Sequence, residues 1–321
     1  MPDVIGVEAP CVDCLLHLPR LPRPNEGLAV EDSSWQGGGK VSTAMVALAR
    51  LGASCGMISD IGDDGYGRFS KRDFDFHGVE TTHVRLHQDY QTGLSYVLSE
   101  DETHGRNILH WNHKAAPAGL TPEDKEYLCQ AKLLHLASAQ EACREAAAIV
   151  HQNGGLVAFD ADGYSPDIEA FIPNIDYFIA SEFYYRHCYG DSQDFEGNCR
   201  QIIARGPRVC IFTFGPQGCL GVGPEGFFNE PTFPVPVVDT VGAGDVYHGA
   251  FLYGVLQGWE TARSARFANA VASLKCTCIG GRAGIPTLEE TLAFMKTGCV
   301  HRPEEIEHRL ERYRDPARLF M

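Results

Sequence analysis

A run of small residues ends in an aspartate at the start of a predicted helix in the last third of the chain. The run is Gly242-Ala243-Gly244-Asp245, and the apolar residues after it have the spacing of a helix face. Small residues before an exposed helix N-terminus allow several backbone N–H groups to point to one place, which binds anionic oxygens. Asp245 could then take a proton from a substrate hydroxyl while the N–H groups hold a transferring phosphoryl group. An aspartate that only caps a buried helix gives the same pattern, so both interpretations stay open.

Two other glycine patterns are typical of nucleotide-binding proteins but lack the required context. Residues 221–226 fit GxGxxG, yet Pro224 and the prolines after it disfavour the helix that a dinucleotide site needs. This segment is therefore predicted to be a turn between strands. Gly39-Lys40 lacks the Ser or Thr that follows the lysine in a Walker A loop, so that phosphate site is also excluded.

The chain has 12 cysteines, and two pairs of them are close in sequence. Cys11 and Cys14 have CxxC spacing, and Cys276 and Cys278 have CxC spacing. A zinc site would need a second pair of ligands at suitable spacing, and neither pair has a convincing one. A redox pair would be expected at a helix N-terminus, whereas the residues before Cys11 are typical of a strand. We therefore predict reduced, structural thiols.

Composition and charge limit the class of protein. The formal net charge is −15 and no basic stripe is visible, so we expect no nucleic-acid partner. No stretch of about eighteen apolar residues is present, so we expect no membrane-spanning helix. The N-terminal residues do not resemble a signal peptide, which predicts a cytoplasmic protein. A local nest of backbone N–H groups can still bind an anionic nucleotide in an acidic protein.

Alternating strand-like and helix-like segments predict an α/β fold. The predicted strands are residues 4–8, 54–60, 133–136, 156–160, 177–180 and 209–214. The predicted helices include residues 44–51, 141–151 and 195–204. Such alternation is typical of a largely parallel sheet that is covered by helices on both faces. Because no internal repeat or low-complexity linker is present, residues 1–321 are predicted to form a single domain.

Two segments break this alternation. Residues 27–36 and 92–113 carry alternating β-type residues, and the polar residues 100–105 make the second segment resemble a hairpin. We expect two segments, about 12–36 and 92–113, to form a small β-sheet lid over the site. A decorative surface hairpin is the alternative.

The glycine-containing run resembles the second signature of the ribokinase-like, or phosphofructokinase-B, family of carbohydrate kinases. That signature is Asp-Thr-x-Gly-Ala-Gly-Asp at the start of a helix, which corresponds to residues 239–245. Residues 38–52 and 60–67 resemble the first signature, and the match runs in the same order from Val4 to about Pro286. The resemblance implies a three-layer α/β/α fold with a small β-sheet lid, and ATP and Mg²⁺ as cofactors.

The resemblance also implies roles for individual residues. Asp245 corresponds to the catalytic base, and the residues of the anion hole are Gly242, Ala243 and Gly244. The residues that correspond to the sugar site are Asp13, Gly38, Gly39, Lys40 and Thr43. The residues that correspond to the nucleotide site are Thr213, Gly215, Gly218 and Asn269. A monovalent-cation site that many members use, with K⁺ as its ion, corresponds to Asp239, Val241, Cys276, Ile279 and Gly281, mostly through backbone carbonyls.

The chain departs from the family pattern at three places. Thr43 replaces the usual Asn of the first signature, and Cys11 stands where ribokinases have another sugar-contacting Asn. The Asn-x-x-Glu that organises magnesium and phosphates aligns with residues 181–184, where only Glu182, in a shifted register, offers a carboxylate. These changes leave the phosphoryl-transfer centre intact and the identity of the sugar open.

The resemblance implies that ATP phosphorylates a hydroxymethyl group of a sugar or related polyol. Residues 35–39 and 274–276 resemble ketohexokinases more than ribokinases, which favours a ketose such as fructose. A nucleoside kinase of the same family is one alternative, and a catalytically silent sugar- or nucleotide-binding regulator is another. The base and the glycine run are both present, which favours an enzyme. A homodimer formed through the lid is also predicted.

Overall fold

Thirteen strands and eleven α-helices make up the part of the chain that the computed structural model describes, which is residues 2–102, 105–111 and 119–315. The strands are β1 (Val4–Val7), β2 (Cys11–Leu18), β3 (Asp32–Gly37), β4 (Cys55–Gly62), β5 (Val84–His87), β6 (Gly93–Glu100), β7 (Arg106–Trp111), β8 (Leu133–Leu136), β9 (Leu156–Ala161), β10 (Tyr177–Ser181), β11 (Val209–Thr213), β12 (Cys219–Gly223) and β13 (Gly226–Glu230). The helices are α1 (Lys40–Arg50), α2 (Gly65–His77), α3 (Pro122–Leu128), α4 (Glu141–Gln152), α5 (Pro166–Phe171), α6 (Glu182–Tyr189), α7 (Phe195–Ile203), α8 (Ala243–Leu256), α9 (Thr261–Lys275), α10 (Leu288–Thr297) and α11 (Glu304–Arg314).

A large sheet of nine strands has the order β13-β12-β11-β10-β9-β8-β1-β4-β5. The seven strands from β11 to β5 pair in parallel, whereas β12 pairs antiparallel with both β11 and β13. Each of the six strands predicted for this sheet is present, with its ends shifted by at most two residues. The GxGxxG segment is the turn of the β12–β13 hairpin, so the prediction of a turn between strands is confirmed.

Helices cover both faces of the large sheet. Val4 and Ile5 show the division, because successive side chains of a strand point to opposite faces. Val4 belongs to an apolar cluster with residues of α1, α8 and α9, and Ile5 to a second cluster with residues of α4 and α7. The fold is therefore a three-layer α/β/α arrangement, as predicted.

Close packing of α1 against α8 brings their N-terminal ends to the same side of the sheet. Gly249 of α8 lies against the carbonyl oxygen of Ala44 in α1, and a Cβ atom on this glycine would overlap that oxygen. The absence of a side chain therefore allows the two helices to approach closely. As a result, Lys40 at the start of α1 and Asp245 in the first turn of α8 share one site.

Four strands form a separate small sheet with the order β3-β2-β6-β7. The pair β2–β6 is parallel, and the other two pairs are antiparallel. The predicted hairpin is confirmed for its described part as β6 and β7. Residues 103–104 and 112–113 of the predicted lid segment lie outside the described residues.

The prediction of a strand over residues 27–36 is wrong for its first five residues. Strand β3 begins at Asp32, which pairs with His17 next to the last residue of β2. The N–H of Glu31 still donates to the carbonyl oxygen of His17 at 2.9 Å, but β2 ends at Leu18, and among the described residues no strand pairs with residues 27–30. Strand β2 itself was assigned to the lid segment but not predicted as a strand.

None of the helices within the described ranges is both long enough and apolar enough to cross a bilayer.

Candidate active site

The N-terminus of α8 is open to a ligand. Gly242 is its N-cap residue with φ of 74°, a left-handed backbone conformation that favours glycine. Within the described residues no side chain caps this helix end. A Cβ atom on Gly242 would lie 2.8 Å from the Cα atom of Gly281, so the two loops also require glycine in order to touch. The N–H of Ala243 donates to the carbonyl oxygen of Thr240 at 3.2 Å, whereas the N–H groups of Gly242 and Gly244 have no backbone acceptor among the described residues and can face an anion.

Asp245 lies half-buried in this first turn, among other charged groups. Burial raises the pKa of its carboxyl group well above the usual value, and the negative charge of Asp160 raises it further. The positive charge of Lys40 acts in the opposite direction. A carboxyl group with a raised pKa is a better proton acceptor than an exposed aspartate, provided that it is deprotonated at the working pH.

Lys40, predicted to contact the sugar, is shared among carboxylates at the carboxyl ends of the parallel strands. Its Nζ atom lies 2.9 Å from Oδ2 of Asp162, which follows β9. Burial lowers the pKa of Lys40, but the charges of Asp160 and Asp162 outweigh this and raise it. The ammonium group therefore stays charged next to Asp245.

Glu8, which directly follows β1, fixes the start of α1 and was not identified from the sequence. Its Oε1 atom accepts a hydrogen bond from the backbone N–H of Lys40 at 3.1 Å, and its Oε2 atom accepts from the N–H of Ser42 at 2.9 Å. A Cβ atom on Gly39 would lie 2.5 Å from this carboxylate. Gly39 therefore has to be glycine, which also suits its φ of 97°.

Asp13 faces the glycine loop, as predicted. A Cβ atom on Gly38 would lie 2.5 Å from the carboxylate of Asp13, so the backbone and the carboxylate are in direct contact. Burial raises the pKa of Asp13, while a hydrogen bond from Cys11 and the charge of Arg282 lower it. The Cys11 thiol donates to Oδ1 of Asp13 at 3.4 Å.

A row of polar side chains extends from Asp13 across the small sheet. The register pairs Asp13 with Gln36 on one side and with Ser95 on the other, and pairs Ser95 with His110. Because paired residues point to the same face, the four side chains form one row. The hydroxyl of Ser95 lies 3.2 Å from Nδ1 of His110. Sequence analysis missed Ser95 and His110, although each is an alternating position of a predicted strand.

Cys11 and Cys14 lie on opposite faces of β2, because they are three residues apart in a strand. Their CxxC spacing therefore does not bring the two thiols together.

Arg282 binds the backbone of the glycine loop through its guanidinium group, and it was not identified from the sequence. Its side chain is 0% exposed. Its Nη1 atom donates to Oδ2 of Asp73 at 2.7 Å and its Nη2 atom to the carbonyl oxygen of Gly38 at 3.0 Å. Its Nε atom lies 3.5 Å from Oγ1 of Thr43. The hydroxyl of Thr43, predicted to contact the sugar, is thus turned toward Arg282.

The predicted nucleotide turn follows β11. Gly215 and Gly218 have φ of 52° and 91°, and the backbone N–H of Phe214 donates to the carbonyl oxygen of Gly218 at 2.8 Å. Thr213 ends β11, at the same sheet edge as Glu8 and Asp162. Ligands of open α/β sheets bind outside this edge, so the turn has a suitable position for a nucleotide.

Asn269 does not lie with its side chain free for a nucleotide. The residue is 4% exposed, and its Nδ2 atom donates to the carbonyl oxygens of Glu230 at 2.9 Å and Pro231 at 3.2 Å. Both amide hydrogens are used within the protein, where they tie α9 to the end of β13. The structure gives no support for an adenine contact through them.

Residues 181–184 replace the magnesium motif with a helix cap. Ser181 caps α6 by accepting a hydrogen bond from the N–H of Phe183 at 3.1 Å. The buried Tyr184 donates its hydroxyl hydrogen to Glu169. Glu182 pairs with Arg186 at 2.8 Å, one turn further along the same helix.

The residues predicted to bind a monovalent cation lie around two adjoining loops, residues 238–242 and 276–281. The carboxylate of Asp239 accepts hydrogen bonds from the N–H of Val241 at 2.9 Å and from the N–H of Gly280 at 2.7 Å. The carbonyl oxygen of Cys276 accepts from the N–H of Val238 at 2.8 Å. Gly281 contacts Gly242, so these loops and the N-terminus of α8 are one unit.

The three-layer fold and the carboxyl group beside an open helix N-terminus are those expected of a small-molecule kinase. Residues 9–288 match the pfkB family of carbohydrate kinases. The chain therefore belongs to this family, and its curated relatives are sugar or nucleoside kinases.

Individual comparisons agree with this assignment. The chain is 29% identical to an aminoimidazole riboside kinase of Salmonella typhimurium over 285 residues, which cover 81% of this chain and 88% of the relative. It is 28% identical to a 5-dehydro-2-deoxygluconokinase of Shouchella clausii over 319 residues, or 92% and 95% of the two chains. The structure of Arabidopsis thaliana ribokinase complexed with ribose and ATP is similar in fold, with a TM-score of 0.81, 22% identity and coverage of 92% and 99%.

Proposed function

We propose that the protein transfers the γ-phosphoryl group of ATP to a hydroxymethyl group of a sugar or related polyol, with Asp245 as the general base. The observation that carries this proposal is the position of Asp245 in the first turn of α8, beside backbone N–H groups that no described side chain caps. The base and the anion-binding N–H groups thus belong to the same helix end, the first turn of α8. A regulator without catalysis would not require this combination.

Each group at the site has a task in such a transfer. Asp13 and the Gly38–Gly39 backbone would hold hydroxyl groups of the acceptor. Asp245 takes the proton of the attacking hydroxyl, while the N–H groups of Gly242 and Gly244 hold oxygens of the transferring phosphoryl group. Lys40 places a positive charge next to the developing negative charge. Catalysis of this reaction consists mainly of positioning and electrostatic stabilisation, which these groups can provide.

The donor is proposed to be Mg-ATP. The turn with Thr213, Gly215 and Gly218 would receive the nucleotide, and the ATP-bound ribokinase of similar fold supports this choice. Asp160 and Asp162 offer carboxylate oxygens at the adjoining strand end, the ligand type that Mg²⁺ prefers. These two residues, rather than residues 181–184, are the proposed holders of Mg²⁺. Mg²⁺ held there would neutralise part of the charge of the phosphate groups.

The acceptor is tested by a panel. The names of the relatives specify a riboside, 5-dehydro-2-deoxygluconate and ribose, while the sequence favours a ketose. We would offer pentoses, ketohexoses, sugar acids and nucleosides with Mg-ATP and measure ADP release for each. A single strongly preferred sugar or sugar acid is the expected result. Preference for a nucleoside would support a nucleoside kinase, the alternative within the family. If no acceptor of the panel leads to ADP release, the proposal is contradicted.

Changing Lys40 to methionine is expected to move the acid limb of the pH–rate profile to higher pH. The general base acts in its deprotonated form, so activity is lost as pH falls through its pKa. Because the Lys40 charge lowers the pKa of Asp245, removing it raises that pKa, and the loss begins at a higher pH. The matched control is Lys296→Met on the exposed face of α10, which should leave the limb unmoved. An unmoved limb in Lys40→Met would show that another group titrates.

The small sheet is proposed to act as a lid, with Arg106 as its contact to the transfer site. Nη1 of Arg106 in β7 donates to Oγ1 of Thr240 at 2.8 Å, two residues before Gly242. A lid that excludes water directs the phosphoryl group to the sugar rather than to water.

The opposite face of β7 exposes two large apolar side chains, with 57% of Leu109 and 53% of Trp111 accessible to solvent. Their exposure supports the predicted homodimer through the lid.

Arg106→Gln is expected to raise the ratio of ADP to sugar phosphate several-fold, because the lid loses its contact with the body. Both products would be counted in the same reaction. Asn107→Ala is the control, because this neighbouring residue points to the opposite face of β7. If the two products stay matched one to one in Arg106→Gln, the contact has no part in closure.

A further inference from the structure

A buried lysine lies at the loops to which the family resemblance assigns a monovalent cation. Lys275, the last residue of α9, is 0% exposed. Its Nζ atom donates to the backbone carbonyl oxygen of Asp239 at 2.9 Å. Asp239 is itself only 3% exposed. The ammonium group of Lys275 is therefore buried against the backbone of one of the residues assigned to the ion.

Three of the five residues assigned to the ion, Asp239, Cys276 and Ile279, have their oxygens engaged in hydrogen bonds within the protein. A protein site replaces the hydration shell of K⁺ with several carbonyl or carboxylate oxygens that point at one place. Here both carboxylate oxygens of Asp239 accept backbone hydrogen bonds. The carbonyl oxygen of Ile279 accepts from Nε2 of Gln36 at 2.9 Å, and that of Cys276 from Val238 and Asp239. The donor set thus fits an internal network better than a bound ion.

We propose that the ammonium group of Lys275 takes the place of the monovalent cation, so that this kinase works without K⁺. The proposal rests on the proposed function for its catalytic part. A buried charge requires hydrogen-bonding partners, and the carbonyl oxygen of Asp239 provides one. The same contact fixes the backbone at the start of residues 239–242, whose end forms the open N-terminus of α8. Lys275 therefore acts as a positioning residue and places a positive charge beneath the loop that receives the phosphoryl group.

The wild-type protein provides the first test, with two readouts. The kinase rate and the melting temperature are measured from zero K⁺ upward, with choline chloride keeping the ionic strength constant. We expect both to be insensitive to K⁺, because an ion that binds only the folded state would raise the melting temperature as its concentration rises. A K⁺-specific rise in the melting temperature or a K⁺-dependent rate would overturn the proposal.

Two variants of Lys275 separate charge from volume. Lys275→Ser leaves space for an ion, and we expect its rate without K⁺ to fall about 10-fold, less than the roughly 10²–10³-fold cost of losing a group that touches the transition state, because Lys275 acts through the loop. Added K⁺ should restore much of this loss and raise the melting temperature of this variant. Lys275→Met fills the space without a charge, so it should lose activity and not respond to K⁺. Lys296→Ser, on the exposed face of α10, is the control and should resemble the wild type.

The outcomes distinguish the two proposals. If the wild type phosphorylates no acceptor, the proposed function fails, while the melting temperature still tests the role of Lys275. If the wild type is active and Lys275→Ser keeps its rate without K⁺, the inference fails alone. If Lys275→Ser does not fold, the response of the wild type to K⁺ decides.

Discussion

Replacing Asp245 by asparagine is expected to lower kcat by about 10²–10⁴-fold, the usual contribution of general base catalysis. The amide has nearly the same shape as the carboxylate but cannot take the proton of the acceptor hydroxyl. The N–H groups of Gly242 to Gly244 are unchanged, so ATP binding should be retained. We would measure kcat from ADP release and ATP affinity by calorimetry.

The matched control for this variant is Asp191→Asn, an exposed aspartate of the loop after α6. This control variant should leave both kcat and the affinity for ATP unchanged. More than a tenth of the wild-type kcat in Asp245→Asn would contradict the assignment of the base.

Replacing Asp13 by alanine is expected to raise the KM of the acceptor with a much smaller effect on that of ATP. A hydrogen bond to a charged group contributes about 1.5–3 kcal/mol, which corresponds to a change in affinity of about 10- to 150-fold. Asp13 is placed for this role because its carboxylate touches Gly38 and begins the polar row that continues with Ser95 and His110. Steady-state kinetics with each substrate varied in turn provide the two KM values.

Asp32→Ala is the control within the same small sheet, because Asp32 lies four residues along β3 from Gln36, the partner of Asp13, and pairs with Arg314 at 2.9 Å. It is expected to leave both KM values unchanged. An unchanged acceptor KM in Asp13→Ala would instead make Asp13 a structural residue of the loop.

Six of the nine strands of the large sheet could be predicted from the sequence because each of the six is a short apolar run between turn or helix signals. Strand β2 could not, because its two faces are both covered. Val12 and Leu15 point to opposite faces yet lie in the same apolar cluster, so the alternation that indicates a half-exposed strand is lost. The first part of the strand predicted over residues 27–36 is not a strand in the structure. Strand-like residues also need a neighbouring strand to pair with, and β2 ends at Leu18.

The positions of Asp245 and the glycine run could be proposed because they belong to a recognisable signature, and that of Asp13 because it follows the first predicted strand. Their roles stay predictions. Glu8 and Asp160 carry a weaker signal, which is a charged residue at the carboxyl end of a predicted parallel strand. Arg282 has no local signal at all. It contacts the carbonyl oxygen of Gly38 from 244 positions away, and only the folded chain brings the two together.

Buried polar contacts are also not indicated by the sequence. The amide group of Asn269 donates to backbone carbonyl oxygens inside the protein, and the hydroxyl oxygen of Thr43 lies 3.5 Å from Nε of Arg282. Lys275 is a third case, since nothing in its sequence position indicates that its ammonium group would reach Asp239.

The central claim is that Asp245 directs a phosphoryl group from ATP to a hydroxymethyl group. Phosphorus NMR of a reaction with Mg-ATP and the preferred acceptor tests it most directly. We predict that one phosphomonoester signal, split by methylene protons, appears for each ADP formed, and that Asp245→Asn forms neither product at a comparable rate. Inorganic phosphate as the only product, or a phosphomonoester formed by Asp245→Asn at the wild-type rate, would contradict the claim.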